Sequence, residues 1–362
     1  MTAAFGNALP APRTEAAMPA NPPPAPVLPD WPTFGLADDV RPELAAAIAR
    51  GEACALVTLT RTEGGAPRPE GAQMLVGERG GALCGFLSGG CVEGDVALHA
   101  AETLADGEPR TLVYGEGSPW PDIRLLCGAR IELLVERVAP DDAVARRLLE
   151  LTAARREAFW LTDGRAHACA SPDETRPPGA FAFARRYEPE PRLVVVGADP
   201  TALAIAGLGI SLGFQTHLVR PRGPATPPPL PGAIYHRGDT RTALAEIGLD
   251  AWTHVAVATH DLEIDEAALL AALPSPAPYV GVLGARRRLP ERRARLQAQG
   301  VDEAALQRLR GPIGLDLGGK APFEIAVAVM AEITAARHAG AAPLLTRVDQ
   351  EASGGGAQTS QQ

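Results

Sequence analysis

The stretch Arg192-Leu193-Val194-Val195-Val196-Gly197-Ala198-Asp199-Pro200-Thr201-Ala202 decides the fold. Leu193 to Val196 is an unbroken apolar run, which suits a parallel strand buried on both faces. Gly197 makes the turn, and a helix is expected from about Thr201 to Leu212. The same order of strand and helix recurs downstream. Strands are expected at Gln215 to Val219, His254 to Ala258 and Tyr279 to Leu283. Helices are expected at Glu263 to Leu273, Arg286 to Gln299 and Pro322 to Arg337. This alternation predicts a Rossmann-like, doubly wound parallel sheet over residues 192–340.

Within that stretch the turn departs from a dinucleotide fingerprint. A second glycine would let the backbone approach a pyrophosphate, but Asp199 stands there, and its charge repels phosphate. The second strand would end in an acid for a ribose hydroxyl, but the chain reads His217-Leu218-Val219-Arg220. Arg220 suits a phosphate better than a hydroxyl. The fold signal is therefore strong and NAD(P) is not expected as a cofactor. Gly197 and Arg220 remain candidates for holding the phosphate of some other ligand. Thr259-His260-Asp261 follows a strand, where open α/β sheets place ligands. His260 is a candidate acid–base, with Asp261 or Asp265 to orient it. The plainer reading is that Asp261 caps the next helix.

Working outward, a linker is expected at residues 158–191, where Pro172, Pro177, Pro178, Pro189 and Pro191 fall. Before it, residues 35–157 read as an α+β domain. A helix is expected near Asp38 to Arg50, with Pro42 close to its start. Strands are expected at Ala53 to Arg61, Gln73 to Val76, Ala82 to Phe86, Arg110 to Tyr114 and Arg130 to Arg137. Helices are expected at Cys91 to Leu104 and Pro140 to Arg156. Residues 1–34, rich in Ala and Pro, and 341–362, with Gly354-Gly355-Gly356, read as a disordered leader and tail.

This first domain carries the chemistry. In Leu87-Ser88-Gly89-Gly90-Cys91-Val92-Glu93 a cysteine follows two glycines where a helix is about to start. Free N–H groups and a helix dipole at such a place favour a thiolate, the form that ligates soft metals and carries sulfur. Cys127 lies in a second turn, Leu126-Cys127-Gly128. A buried, inert thiol is the alternative for each. Cys54, Cys84 and Cys169 read as packed small residues. Arg68, in Pro67-Arg68-Pro69, is a candidate phosphate ligand.

Composition narrows the function. The net charge of −9 argues against nucleic acid or an anionic membrane as partner. Five cysteines in 362 residues, with no C-x-x-C pair, read neither as a disulfide framework nor as structural zinc. No signal peptide and no apolar run of membrane-spanning length is visible, so a cytoplasmic location is expected. Lys320 is the single lysine, so lysine catalysis would have to rest on it.

Gly64 to Val76 (GGAPRPEGAQMLV), Gly85 to Val96 (GFLSGGCVEGDV) and Leu126 to Glu136 (LCGARIELLVE) resemble the XdhC/CoxI family of xanthine dehydrogenase accessory proteins. So do Thr259 to Asp265 (THDLEID), Tyr279 to Arg288 (YVGVLGARRR) and Gly311 to Glu332. The resemblance implies a chaperone that binds the molybdenum cofactor, as molybdopterin or its dinucleotide form. It implies support for sulfuration by a cysteine desulfurase and delivery to an apo molybdenum hydroxylase such as xanthine dehydrogenase. A homodimer is compatible with it. Cys91 and Cys127 would then contact molybdenum, with Ser88, Gly89, Gly90 and Glu93 around the first thiol. Asp199-Pro200, Arg220 and Gly128-Ala129 depart from the family pattern. Two other functions stay open: an NAD(P)-dependent oxidoreductase using His260, and a non-catalytic scaffold for hydroxylase subunits.

Overall fold

The computed structural model describes residues 28–78, 83–118, 125 and 127–347. Most of the expected leader and tail, residues 1–27 and 348–362, lies outside the described residues. The chain divides into two compact units. The first runs up to Asp142 and includes Gly164–Ala166; the second comprises Ala143–Asp163 and the chain from His167 onward.

The first unit contains α1 (Arg41–Arg50), β1 (Cys54–Glu63), β2 (Gln73–Gly77), β3 (Leu83–Gly85), α2 (Glu93–Asp106), β4 (Arg110–Tyr114) and β5 (Arg130–Val138). Its strands form one antiparallel sheet in the order β3-β2-β1-β5-β4. Alternate residues of β1, namely Ala55, Val57 and Leu59, pack with Met74, Val76, Leu133 and Val135 into one core. Onto it α2 lays Val96, Ala97, Ala100 and Leu104, the spacing of a single helical face. Leu28 packs against the same core, so the end of the expected leader belongs to this unit. Cys54 and Cys84 are buried as expected; burial pushes their thiols up to about 12 and about 11.

The second unit opens with α3 (Ala143–Ala153), β6 (Ala158–Thr162), β7 (His167–Ala170) and β8 (Phe183–Tyr187). The parallel sheet follows: β9 (Arg192–Gly197), α4 (Pro200–Ser211), β10 (Gln215–Val219), β11 (Ile234–His236), α5 (Thr240–Ile247), β12 (Thr253–Ala258), α6 (Leu262–Ala272) and β13 (Tyr279–Val282). It ends with α7 (Leu289–Ala298), α8 (Glu303–Gln307), β14 (Leu309–Arg310), α9 (Pro322–His338) and β15 (Leu345–Arg347).

The strand order β11-β10-β9-β12-β13-β14 is parallel throughout, as a doubly wound Rossmann-like sheet requires. The β9 valines are 0% exposed, which is why this strand shows no alternation. Val194 and Val196 join the core under α5 and α6, while Leu193 and Val195 join that under α4 and α9.

Two expectations about connections differ from the structure. Residues 158–191 do not form a bare linker: β6, β7 and β8 lie there, in an antiparallel sheet ordered β15-β8-β6-β7. Their prolines fall between strands, in the turns after β7 and β8, where no ladder donor is lost. The pairing of β8 with β15 joins residues far apart in sequence, and β15 lies inside the stretch read as tail. The helix expected at Pro140 to Arg156 is shorter and packs on β6 and β7, so it belongs to the second unit. Among the described residues no helix is long and apolar enough to cross a membrane.

Candidate functional site

In the first unit β3 hands the chain to the turn that carries Cys91, and α2 begins two residues later than expected, at Glu93. Cys91 is therefore in the turn and not in the helix. Its side chain is free and exposed, as is that of Cys127. Neither thiol is therefore buried, while Cys169 joins Cys54 and Cys84 among the buried thiols.

The turn is held from beneath by Glu93, which is 1% exposed. Its carboxylate accepts from the backbone N–H of Leu87 (3.1 Å), Ser88 (2.8 Å) and Val92 (3.3 Å), and from the Ser88 hydroxyl (2.8 Å). Ser88 Oγ in turn accepts from the Cys91 N–H at 3.2 Å. Ser88 and Glu93, expected as ligand-binding residues, thus have both side chains turned to the turn itself. Gly90 adopts φ +91°, the left-handed region that glycine reaches without strain. A Cβ on Gly89 or Gly90 would meet nothing within 4 Å, so this side of the turn is open. No side chain caps α2, and the N–H groups of Gly89, Gly90 and Gly94 have no acceptor among the described residues.

The Cys127 turn lies beside the glycine-rich loop before β2. The Cβ position of Gly64 is 3.2 Å from the Gly128 carbonyl oxygen, and that of Gly65 is 3.8 Å from that of Cys127. Arg68, on the same loop, is ion-paired with Asp38, so its charge is already partnered. Leu126 lies outside the described residues. Among the described residues no group of three or more His, Cys, Asp or Glu side chains is arranged to hold a metal ion. Metal contact from this unit would come from thiols acting singly or in a pair.

In the second unit a cleft of about 520 Å³ opens at the carboxyl ends of β9, β10 and β12. Its lining brings together Gly197, Arg220, His260 and Asp261, all candidates from sequence, with Asp199, whose charge was expected to repel phosphate. It adds Pro221, which carried no motif signal, and Ile264, which lies in the THDLEID segment but was not a candidate. Gly197 is required sterically, since a Cβ there would sit 2.2 Å from the Ala258 carbonyl oxygen. Asp199 caps α4: its Oδ1 accepts from Ala202 N–H at 2.8 Å. His260, 86% exposed at its side chain, reaches Asp199 Oδ2 at 3.2 Å. Asp261 caps α6 by accepting from the N–H of Glu263 and Ile264, at 3.0 and 3.3 Å.

In the wall of the cleft, Thr259 Oγ1 accepts from Asp261 N–H at 2.9 Å and donates to Asp265 Oδ1, also 2.9 Å away. Asp265 is buried, pairs with Arg292 at 2.8 Å, and is pushed up by burial despite that pair. It supports the β12–α6 turn and does not line the cleft. The glycine-rich loop 311–319 serves packing: Gly314 N–H and Tyr279 Oη both donate to Glu332, at 2.8 and 2.6 Å. Glu324 accepts from the N–H of Lys320 and Ala321 at the start of α9.

Comparison with known proteins follows the same division. Residues 47–115 match the XdhC and CoxI family, and residues 193–333 match the XdhC Rossmann domain. A molybdenum cofactor insertion chaperone, PaoD of Escherichia coli, is 33% identical over 296 residues, covering 80% of this chain and 86% of its own. A probable xanthine dehydrogenase component of Bacillus subtilis is 27% identical, covering 79% and 94%. A crystal structure described as a xanthine dehydrogenase from Bacillus halodurans superposes with a TM-score of 0.66 at 24% identity. That structure covers 84% of this chain and 96% of its own, and it shows the shared fold.

Proposed function

This chain belongs to the XdhC and CoxI family, and from that premise we propose that it is a molybdenum cofactor chaperone and not itself a catalyst. The chain holds the cofactor, as molybdopterin or its dinucleotide form, supports its sulfuration with a cysteine desulfurase, and passes it to an apo molybdenum hydroxylase of the xanthine dehydrogenase class. The observation that carries this reading is the Cys91 turn. It presents an exposed thiol beside unoccupied N–H donors, on a backbone fixed by a buried carboxylate. Thiolate is a soft ligand suited to molybdenum and to sulfur transfer. The open α2 start offers backbone donors to the cargo's phosphate. Cys127 is the proposed second thiol.

Exposed free thiols also suit a reducing compartment, the cytoplasm. A homodimer is compatible with this role. The oxidoreductase alternative is disfavoured by the start of α4. Asp199 takes the Ala202 N–H that a pyrophosphate would use, and Pro200 has none to give.

The test is to isolate the protein from cells that make the cofactor and to measure bound molybdenum and oxidised pterin. Cys91→Ala should retain about tenfold less of both, a difference of about 1.4 kcal/mol. Cys169→Ala, which removes a buried thiol, should retain the wild-type amount. Equal loading of Cys91→Ala, with equal activation of a partner hydroxylase, would overturn the assignment.

A further inference from the structure

We propose that the cleft in the second unit is a nucleoside monophosphate site. A ribose-borne phosphomonoester pairs with Arg220, the base lies between Pro221 and Ile264, and Asp199 with Pro200 closes the cleft to diphosphates.

The cleft sits beside β9, between β10 and β12, where the strand order reverses and open α/β sheets bind ligands. Its volume of about 520 Å³ is of the size that small-molecule sites have. In dinucleotide folds the diphosphate takes the N–H donors at the first helix start. Here Ala202 N–H is spent on Asp199, and Pro200 carries no hydrogen. The second helix start is likewise satisfied by Asp261. Two carboxylates thus stand where a diphosphate would need positive charge.

Arg220 is the complementary observation. It lines the cleft directly after β10, yet its guanidinium has no hydrogen bond or ion pair among the described residues. Three other arginines of this unit are engaged: Arg155 with Asp250, Arg192 with backbone carbonyls and Gln215, Arg292 with Asp265. A guanidinium left without a partner at a cavity wall is matched by a phosphate, which it grips through two parallel hydrogen bonds. The end of the second strand is the ribose position in this architecture, and arginine there accommodates a ribose phosphate. Arg222 adds positive charge nearby; its side chain is 81% exposed and lies 3.5 Å from Asp261. Pro221 and Ile264 supply apolar walls for a flat base, and the carboxylate of Asp261 can accept from its amino group.

This inference does not depend on the molybdenum reading, and its test involves no molybdenum. Calorimetric titrations of the full chain with adenosine, its 2′- and 5′-monophosphates and NAD+ provide it. At least one monophosphate should bind about tenfold tighter than adenosine and about tenfold tighter than NAD+. Arg220→Ala should remove the preference for monophosphate over adenosine, and Arg220→Lys should restore part of it. Asp199→Gly should raise NAD+ affinity without weakening the monophosphate. NAD+ binding wild type as tightly as the tighter of the two monophosphates would overturn the proposal. So would the absence of monophosphate binding at millimolar concentration, or a folded Arg220→Ala variant that still prefers monophosphate.

Discussion

The chain builds the same local device twice, a strand running through a glycine turn into a helix, and treats its electropositive end in opposite ways. At α4 the turn is closed. Asp199 caps the helix, Pro200 removes a donor, and Gly197 is pressed against Ala258. At α2 the turn is open. No side chain caps the helix, and both glycines face empty space. The carboxylate of Glu93 is directed back to brace the turn. An exposed thiol stands at the open turn, and beside the closed one stands an arginine with no partner among the described residues. The fold alone does not decide whether a helix start binds an anion; the residue that spends the N–H groups does.

Acid should separate the two units most. His217 and His254 lie in the second unit, and burial lowers each from 6.5 to about 4. His217 Nδ1 lies 2.9 Å from His236 Nε2, a contact that needs one nitrogen to be unprotonated. His254 Nε2 is buried without a partner among the described residues. Folded-state values below the unfolded one mean stability that is complete above about pH 6.5. It is lost as pH falls toward 4, by about 3 kcal/mol per imidazole. Hydrogen exchange in urea at pH 7 and pH 4.5 should show peptides of the second unit losing more protection than those of the first. A His217→Phe, His254→Phe double variant should narrow that difference. Equal loss in both units, or undiminished loss in the variant, would refute the account.

The next effect tests the brace under the open turn. Glu93→Ala leaves several donors at the Cys91 turn without their acceptor. It should destabilise the first unit by about 3 kcal/mol, as unsatisfied buried groups do. Urea unfolding read from first-unit peptides measures this. A shift below about 0.5 kcal/mol, the range of a surface change, would mean that the turn holds itself.

These energetics explain what was legible in the sequence. The parallel strands were plain because burial on both faces writes an apolar run: β10 matches its expected bounds, and β9 and β12 extend theirs by a residue at one or both ends. The sheet of β6, β7, β8 and β15 was not, because its prolines imitate a linker and β15 returns from the far end of the chain. Cys91, Cys127, Asp199 and Arg220 stood out through the turns that carry them. Arg68 did too, but nothing local to it announces Asp38 thirty positions earlier. Glu93 looked like part of a binding motif. Its service as an internal acceptor depends on four donors, and that geometry exists only once the turn is folded.

The smallest predicted effect compares the two turns most directly, because the same methyl group is added to each. Gly197→Ala puts Cβ 2.2 Å from the Ala258 oxygen and 2.7 Å from Ala202 Cβ. Neither neighbour can yield without moving β12 or α4, so overpacking should cost about 2 kcal/mol. Gly90→Ala meets no atom within 4 Å, and its cost comes only from φ +91°, about 1 kcal/mol for an L-residue. The two penalties have different origins and should respond differently to rescue. Shrinking a neighbour, Ala202→Gly, should recover part of the Gly197→Ala loss after allowing for its own cost in the helix. No neighbouring truncation should help Gly90→Ala. Thermal unfolding of the single and double variants reads both. A Gly90→Ala penalty larger than that of Gly197→Ala would show that the thiol turn is packed where the structure leaves it open.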